Sequence, residues 1–241
     1  NSDGSTTATV QANTTAGFSI ITWTGTGSAT TLGHGLGAAP TMLIVKNRTT
    51  GVDWAVYHKD LTDAGYVMAL NTADAQADSG TNRWNDTAPT SSVIHIGSGQ
   101  QTNQSTNNMI CYAFAEKQGY SRFGSYVGNG QTQEGPFVYT GFKPAFVMIK
   151  NTETASRNWY IYDIKRRAFN SNGSVLSANA ATAEADDQAI DIFSNGFRVR
   201  PEGVVSGYGT STVNHNSQKF IYAAWAENPF VTSTGVPGTA L

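Results

Sequence analysis

The chain has 241 residues, of which only 13% are charged, and 15 basic against 17 acidic residues give a formal net charge of −2. This length suits one large or two small all-β domains. The charge balance offers no basic block for nucleic acid and no polybasic patch for a membrane surface, and no apolar run reaches the roughly 18 residues of a membrane-spanning helix. We therefore expect neither a nucleic-acid partner nor membrane insertion.

In chain order, the predicted elements are short strands separated by turns rich in Gly, Asn, Ser and Thr. Residues 1–16 are polar and are predicted to form an N-terminal linker or arm. The strand signals, which are apolar runs or apolar residues at alternate positions, lie at 41–47, 54–58, 91–97, 108–116, 145–151, 159–163 and 196–203. Helix signals are thin, and 73–78 and 181–193 each predict at most a turn or two. Residues 231–241 are predicted to be a flexible or docking tail.

The single cysteine, Cys111, cannot form an internal disulfide. It lies inside an apolar run typical of a strand, and a free cysteine in such a run behaves as a small core residue. We therefore expect Cys111 to be buried and to have a structural role.

The sequence contains an internal repeat. Residues 36–58 (LGAAPTMLIVKNRTTGVDWAVYH) match residues 141–163 (GFKPAFVMIKNTETASRNWYIYD), and their shared proline, lysine, asparagine, tryptophan and tyrosine stand at an offset of 104 or 105. Residues 110–117 match 221–228 in the same way. A repeat of this length is a whole packing unit rather than one rung of a solenoid.

Many short strands at this spacing predict an all-β fold, an antiparallel β-sandwich of the jelly-roll kind built from two internal repeats of about 105 residues. We predict two similar sandwiches packed in tandem, repeat A at 17–120 and repeat B at 121–230, each with about six or seven strands. The alternative is one larger jelly roll to which each half contributes strands, and the sequence does not separate the two.

Glu116 and Glu227 occupy equivalent positions near the ends of the two repeats. A pair of carboxylates is typical of glycoside hydrolases, which place both groups around one sugar ring at about 5–10 Å from each other. The duplication explains the pair more simply, because each glutamate then has the same structural role in its own repeat. We therefore predict no catalytic residues.

No cofactor or metal is predicted from the other polar residues. The four histidines have no ligand spacing such as HxH or HExxH, and no serine stands in a GxSxG nucleophile elbow. These histidines are His34, His58, His95 and His215. The acidic segments 60–65 and 184–191 are the candidates for calcium, but neither matches the twelve-residue loop of an EF-hand.

Trp84 differs from the other tryptophans because it lies in a polar stretch, TNRWNDTAPTSS. With its neighbours Asn85 and Asp86 it forms a candidate carbohydrate-binding site, since an indole can stack on a sugar ring while polar neighbours bond the hydroxyls. A contact between subunits would also suit it. The alternative is a structural tryptophan that plugs the end of its own sandwich.

Motifs from both repeats resemble a family of virion structural domains of tailed bacteriophages, especially marine and cyanobacterial ones. They include WTGTG, GLGAAPTMLIVKN, RWNDTAPTSSV, CYAFAEKQGYSRFGSYVGNG, GPFVYTGFKPAFVMIKN and YAAWAENPF, and they cover about residues 17–230. The resemblance implies a lectin-like or concanavalin-like β-sandwich at the end of a tail fibre, tail spike or capsid appendage. It implies no defined chemistry.

On this basis the sequence favours a non-enzymatic protein on the surface of a virion that adheres to the host. Its expected partners are other virion proteins, a host surface glycan and further copies of itself in a homotrimer. The first alternative is a capsid decoration or purely architectural protein with no specific ligand. The second is a glycan-degrading tailspike enzyme that uses Glu116, Glu227 or the segment 184–191.

Overall fold

The computed structural model describes residues 1–131, 134–167, 170, 172–200 and 213–227. Two compact units divide the chain: unit 1 is Asn1–Lys117 and unit 2 is Gln118–Leu241. Both units consist mainly of strands that pair antiparallel, so the predicted all-β fold with antiparallel sheets is confirmed. The predicted tail at 231–241 lies outside the described residues.

Unit 1 contains nine strands and two one-turn helices. The strands are β1 Thr9–Asn13, β2 Phe18–Thr24, β3 Thr30–Gly33, β4 Met42–Asn47, β5 Ala55–His58, β6 Tyr66–Ala69, β7 Ala77–Asp78, β8 Val93–Ile96 and β9 Asn108–Phe114. The helices are α1 Thr81–Trp84 and α2 Gln100–Asn103. A large sheet has the order β1-β2-β9-β4-β5-β6-β7, and β3 pairs with β8 in a second, two-stranded sheet.

The core of unit 1 combines side chains from both of these sheets. Ile21 of β2, Val45 of β4 and Cys111 of β9 point inward from the large sheet and are fully buried. Leu32 of β3 and Ile94 of β8 reach the same cluster from the small sheet. Side chains alternate between the two faces of a strand, so the alternation in the sequence selects the core. Cys111 is a core residue as expected, and burial raises the pKa of its thiol.

The segment that the sequence assigns to an N-terminal arm, 1–16, contains β1. This strand pairs with β2 in a register that starts with Thr9 opposite Thr22. Ala8 is buried, and the terminal ammonium of Asn1 donates a hydrogen bond to the Ala8 carbonyl at 2.6 Å. The segment therefore forms the edge of the large sheet rather than a free linker.

Unit 2 contributes eight described strands. They are β10 Ser121–Val127, β11 Phe137–Tyr139, β12 Pro144–Asn151, β13 Trp159–Asp163, β14 Asn172–Ser177, β15 Ala185–Phe193, β16 Gly196–Val199 and β17 Lys219–Ala226. They form a single sheet in the order β10-β17-β12-β13-β14-β15-β16-β11.

The sheet of unit 2 folds over its own core. Tyr126 of β10 stacks on Phe220 of β17, with ring centroids 5.1 Å apart, and meets Phe197 of β16 edge-on at 6.3 Å. Phe197 also meets Tyr222 of β17 edge-on at 5.4 Å. Because β10 and β17 lie near one end of the strand order and β16 near the other, these contacts require the two ends of the sheet to face each other.

The helical turn predicted within 181–193 is wrong. Ala185–Phe193 forms β15, which pairs with β14 on one side and β16 on the other. Its alanines and acidic residues weakly favour a helix, but Ile190 and Ile192 alternate with period two and are buried in the core. Strand pairing and burial therefore override a weak local propensity. The other helix signal, 73–78, also has no helical residue and ends in β7.

A lysine-asparagine pair repeats at the ends of β4 and β12. Asn47 Oδ1 accepts hydrogen bonds from the backbone N–H groups two and three residues later, at 3.0 and 3.2 Å, and Asn151 Oδ1 does the same at 2.9 Å. Lys46 and Lys150 donate to backbone carbonyls six and seven residues later. The repeated pair thus shapes the turn that follows each strand, which is a structural role.

Asn103, the last residue of α2, fastens the turn after β2 to the loop before β9. Its Oδ1 accepts hydrogen bonds from the Trp23 indole at 3.1 Å and from the Thr26 backbone at 3.0 Å. Its Nδ2 donates to the Thr26 hydroxyl at 2.9 Å and to the Ser28 carbonyl at 2.7 Å. The Asn103 side chain is fully buried, so these bonds lie where an unsatisfied polar group is most costly.

Asn214 has a matching position in unit 2, before β17. Its Oδ1 accepts a hydrogen bond from the Asn129 backbone at 3.0 Å, and its Nδ2 donates to Asn129 Oδ1 at 3.0 Å. The strand order β2-β9-β4-β5-β6-β7 of unit 1 also parallels β10-β17-β12-β13-β14-β15 of unit 2. Such parallels are expected of a duplicated unit, and the internal repeat itself stays a prediction.

Replacing Asn103 by alanine should lower the free energy of unfolding by about 2–4 kcal/mol, because the Trp23 indole and the Thr26 amide lose their buried acceptor. Chemical denaturation followed by circular dichroism measures this change. Asn13→Ala is the matched control, since it removes one exposed hydrogen bond, to the Ala16 backbone, and should cost less than about 0.5 kcal/mol. Equal effects of the two substitutions would contradict the role given to Asn103.

His34 is fully buried in unit 1 and uses both ring nitrogens. Nδ1 accepts a hydrogen bond from the Leu36 backbone at 3.1 Å, so the ring proton is on Nε2, which donates to the Thr90 carbonyl at 3.1 Å. This pattern requires the neutral imidazole. Burial lowers the pKa of His34, partly offset by the bond to Thr90, and burial also lowers the pKa of His95.

The protein should therefore lose stability as the pH falls. Histidines in the unfolded chain take up protons near a pH of about 6.5, whereas folding holds His34 and His95 neutral to lower pH, so acid favours the unfolded state. Denaturant titrations from about pH 7.5 to about pH 5 should show the free energy of unfolding declining below about pH 6.5. His34→Gln should flatten this decline, and the same change at the loop residue His215 should leave it intact. A decline that His34→Gln does not alter would exclude His34 as its source.

Candidate functional site

Trp84, the first residue of the predicted carbohydrate site, lies in the core of unit 1. Its side chain is 1% exposed, its indole N–H donates to the Tyr66 carbonyl at 3.1 Å, and its ring meets Tyr57 edge-on at 5.9 Å. This burial leaves no face of the indole for a sugar ring. The sugar-stacking hypothesis for Trp84 is therefore corrected, and the residue fits the alternative of a tryptophan that plugs its own sandwich.

Asn85 and Asp86 turn the chain at the end of α1. Their φ angles are 51° and 47°, in the left-handed region that asparagine and aspartate tolerate better than most residues. Asn85 is half-buried and Asp86 is exposed. With the indole turned into the core, these two residues have a conformational role and no aromatic partner for a sugar.

The two glutamates considered for catalysis both take part in ion pairs. Glu116 lies 3.6 Å from the Lys59 ammonium in unit 1. Glu227 lies 2.7 Å from the Lys165 ammonium in unit 2, and the hydrogen bond from Lys165 lowers the pKa of Glu227. The general acid of a glycosidase needs a raised pKa, so the environment of Glu227 opposes that role.

The histidines do not combine with other residues into a metal centre. His34 and His58 are buried singly within unit 1, and the His58 Nδ1 accepts the backbone N–H of Asp60 at 3.1 Å. Within the described part of the chain, no group of three or more His, Cys, Asp or Glu side chains has a geometry that would hold a metal ion.

The two acidic segments considered for calcium are engaged within the protein. In the segment 184–191, Glu184 forms an ion pair with Arg166 at 3.4 Å, and Asp186 forms one with Arg167 at 2.8 Å. These arginines already compensate the charges of Glu184 and Asp186, two of the carboxylates that a cation would need.

In the other segment, 60–65, Asp63 Oδ1 accepts the Gly65 backbone N–H at 2.8 Å. Three carboxylate oxygens surround the position that a Cβ on Gly65 would occupy. Those of Asp63 and Asp86 lie 3.1 Å from it, and that of Asp78 lies 3.5 Å from it. A larger residue here would crowd these carboxylates, and the glycine leaves them room.

Exposed aromatic side chains distinguish unit 2. Five large apolar side chains are exposed among the described residues, and all lie in this unit: Val127, Phe137, Tyr139, Leu176 and Phe193. Three of them are aromatic: Phe137 is 48% exposed, Tyr139 is 64% exposed and Phe193 is 39% exposed. We refer to these three side chains as the aromatic platform.

The register of three strands assembles the aromatic platform. Phe137 and Tyr139 of β11 lie opposite Arg198 and Gly196 of β16, and Gly196 lies opposite Phe193 of β15. Residues opposite one another in an antiparallel pair point to the same side of the sheet. The rings of Phe137 and Phe193 meet edge-on, with centroids 5.9 Å apart.

Gly196 lets β11 and the Phe137 ring approach β16 closely. A Cβ at this position would lie 2.2 Å from the Val138 carbonyl oxygen and 2.9 Å from the Phe137 ring, and both distances are shorter than real contacts allow. The neighbouring residues of the strands, Val138, Phe197 and Ile192, point into the core. Period-two alternation therefore fixes the aromatic rings on the outer face while the inner face holds the sheet together.

Charged groups border the aromatic platform. The Arg198 guanidinium lies 5.8 Å from the centre of the Phe193 ring, and its Nη2 lies 3.3 Å from Asp191 Oδ2. Arg200 Nε lies 3.7 Å from the same carboxylate oxygen, and Asp191 is buried. Hydrogen-bond donors thus stand in fixed positions beside apolar ring faces, an arrangement that can bind a ligand with both C–H surfaces and hydroxyl groups.

The sequence indicates part of the aromatic platform. In GPFVYTGF, at 135–142, two aromatic residues stand two positions apart between glycines, which places both rings on one face of a strand. Nothing in the pattern indicates that Phe193, far along the chain, joins them, because that contact depends on the pairing of β15 with β16.

Across the described residues, no helix has both the length and the apolar character that a membrane span requires.

Comparison with known proteins places the chain in a family without assigning it a function. Residues 1–229 match the model of a family described as a domain of unknown function, DUF7483. No curated protein and no solved structure matches the chain. Because the match spans nearly the whole sequence, this protein belongs to the DUF7483 family.

Proposed function

We propose that this protein is a non-enzymatic structural protein of a tailed-bacteriophage virion, and that it adheres to a glycan on the host surface through the aromatic platform of unit 2. The resemblance of its motifs to virion structural domains supports the setting on the particle. The aromatic platform is the observation that carries the adhesive role, because a cluster of exposed rings on a folded protein is most often a binding surface.

The chemistry of the aromatic platform favours a sugar as ligand. The face of an aromatic ring carries partial negative charge, and the C–H face of a pyranose carries partial positive charge, so the two attract when stacked. Tyr139 is the most exposed ring and offers the larger free face. Arg198, held at the rim by its ion pair with the buried Asp191, provides donors for the hydroxyl groups of a stacked sugar.

Repetition of the chain on the particle would strengthen a weak sugar contact. In a homotrimer anchored to other virion proteins, the first bound site raises the effective concentration of the other two. Multivalent binding of this kind exceeds the affinity of one site by factors of about 10²–10⁴ without any new contact. The proposed adhesion therefore does not need a deep pocket in each copy.

Turnover of the glycan is not part of the proposal. Lys165 lowers the pKa of Glu227 and so stabilises the charged form of that carboxylate, and Glu116 forms an ion pair with Lys59. A glycosidase keeps at least one such group protonated at working pH. The ion pairs fit glutamates with structural roles.

Tyr139→Ala and Phe193→Ala should each weaken binding of the full chain to bacterial surface polysaccharides by about tenfold or more, because one lost stacking contact of about 1.4 kcal/mol has that effect. Surface plasmon resonance against a panel of immobilised polysaccharides measures the affinities. Leu176→Ala is the matched control, since it removes an exposed apolar side chain from the same unit, and it should bind like the wild type.

Two results would overturn the adhesive role. One is a wild-type protein that binds no polysaccharide of the panel or of intact host cells. The other is a Tyr139→Ala variant that binds as tightly as the wild type. Either result would favour the purely architectural role instead.

Incubation with a polysaccharide that the protein binds should release no new reducing ends, because the two glutamates considered for catalysis are held in ion pairs. A reducing-sugar assay with an endoglycanase as positive control measures this. Release that disappears in Glu116→Gln or Glu227→Gln would contradict the non-enzymatic proposal and favour a tailspike enzyme.

A further inference from the structure

A polar groove of about 330 Å³ lies at one end of the large sheet of unit 1. We refer to it as the threonine groove. Its polar lining consists of Thr7, Thr9, Thr22, Thr24, Asn108 and Arg48. No acidic side chain lines it, so among the described residues Arg48 is the one charged group at its wall.

Strand register brings the polar side chains of the threonine groove to one face. Thr9 lies opposite Thr22 in the β1–β2 pair, and Thr24 lies opposite Asn108 in the β2–β9 pair. Thr22 and Thr24 flank Trp23, which is buried in the core. Because neighbouring residues of a strand point to opposite faces, the threonine hydroxyls are directed away from the core.

Arg48 places a positive charge beside these hydroxyls. Its backbone N–H donates a hydrogen bond to the Asn108 carbonyl at 2.8 Å, which fixes the position of the Arg48 backbone. Arg48 is exposed and forms no ion pair with any residue that the structure describes. The nearby Lys46, in contrast, donates to the Val52 carbonyl and lies 5.9 Å from the centre of the Trp54 ring.

We infer that the threonine groove binds the carboxylate of an acidic saccharide. The planar guanidinium of Arg48 can donate two parallel hydrogen bonds to a carboxylate. Threonine hydroxyls and the Asn108 amide both donate and accept, as sugar hydroxyls do. The volume is at the small end of the range of roughly 300–1,000 Å³ for ligand sites, which suits one or two sugar rings.

Preorganisation supports this assignment. The threonines are held by strand pairing, and a β-branched side chain has few rotamers to lose. Ordering a ligand against such a wall therefore costs less than ordering it against long, flexible side chains. A neutral sugar would form no charge-assisted hydrogen bond with Arg48, so the groove favours an acidic one.

The inference rests on the proposed function only for its ligand class, because it concerns another unit and other side chains. The two can fail separately. Loss of acidic-sugar binding in a Tyr139→Ala variant would assign that binding to the aromatic platform and remove it from the threonine groove.

Isothermal titration calorimetry of the full chain with a tetramer of galacturonic acid tests the inference, with the fully methyl-esterified tetramer as the matched neutral ligand. The acid form should bind at least about tenfold more tightly than the ester at low salt, and added salt should weaken it. Arg48→Gln should lose about tenfold or more of the affinity for the acid form. Lys143→Gln, which removes an exposed cation elsewhere, should bind like the wild type.

Thr22→Val separates sugar recognition from simple anion binding, because it removes one hydroxyl with little change of shape. It should weaken binding of the tetramer several-fold and leave binding of inorganic phosphate unchanged. Arg48 and Thr22 do not lie in the core, so unfolding midpoints near that of the wild type are expected and are checked for each variant.

The inference is overturned if the ester binds as tightly as the acid, if Arg48→Gln retains the wild-type affinity, or if the acid form does not bind at millimolar concentration. Phosphate that binds as tightly as the tetramer would also overturn it, because the groove would then recognise any anion rather than a sugar.

Discussion

The last described strand of each unit lies between two strands that come much earlier in the same unit. In unit 1, β9 pairs with β2 and β4, and in unit 2, β17 pairs with β10 and β12. A central strand has backbone groups to satisfy on both edges, so neither sheet is complete until its final strand is inserted. Contacts this distant in sequence close late and make folding slow. The buried side-chain amides of Asn103 and Asn214 lie just before these strands and hydrogen-bond the loops beside them.

The shortage of charge gives the protein a distinctive way to hold its loops. Buried or half-buried asparagines, such as Asn47, Asn103 and Asn151, bond backbone groups that would otherwise be unsatisfied. Neutral hydrogen bonds of this kind are not screened by salt as exposed ion pairs are. On such a surface Arg48 stands out, because it forms no ion pair with a described residue and no carboxylate lines its groove.

Both candidate binding surfaces follow from the same property of strands. The inner face of each sheet is committed to the core, and alternation leaves the outer face free to vary without loss of packing. In unit 2 the outer face of β11, β15 and β16 carries aromatic rings around Gly196. In unit 1 the outer face of β1, β2 and β9 carries hydroxyl and amide groups. One kind of scaffold therefore presents two different chemistries without a catalytic cluster being needed for either.

The sequence by itself determined the fold class, most strand positions and the burial of Cys111, because alternation and turn residues are local properties. Only the tertiary structure decided the rest. Ala185–Phe193 became a strand because two neighbouring strands pair with it, and Thr9–Asn13 became a sheet edge because it pairs with β2. Trp84 stands among polar residues in sequence, yet packing against Tyr57 buries it. Phe193 reaches Phe137 only through strand pairing. In each case the deciding contact joins residues distant in the chain, and a local pattern contains no information about which distant surface will cover or adjoin it.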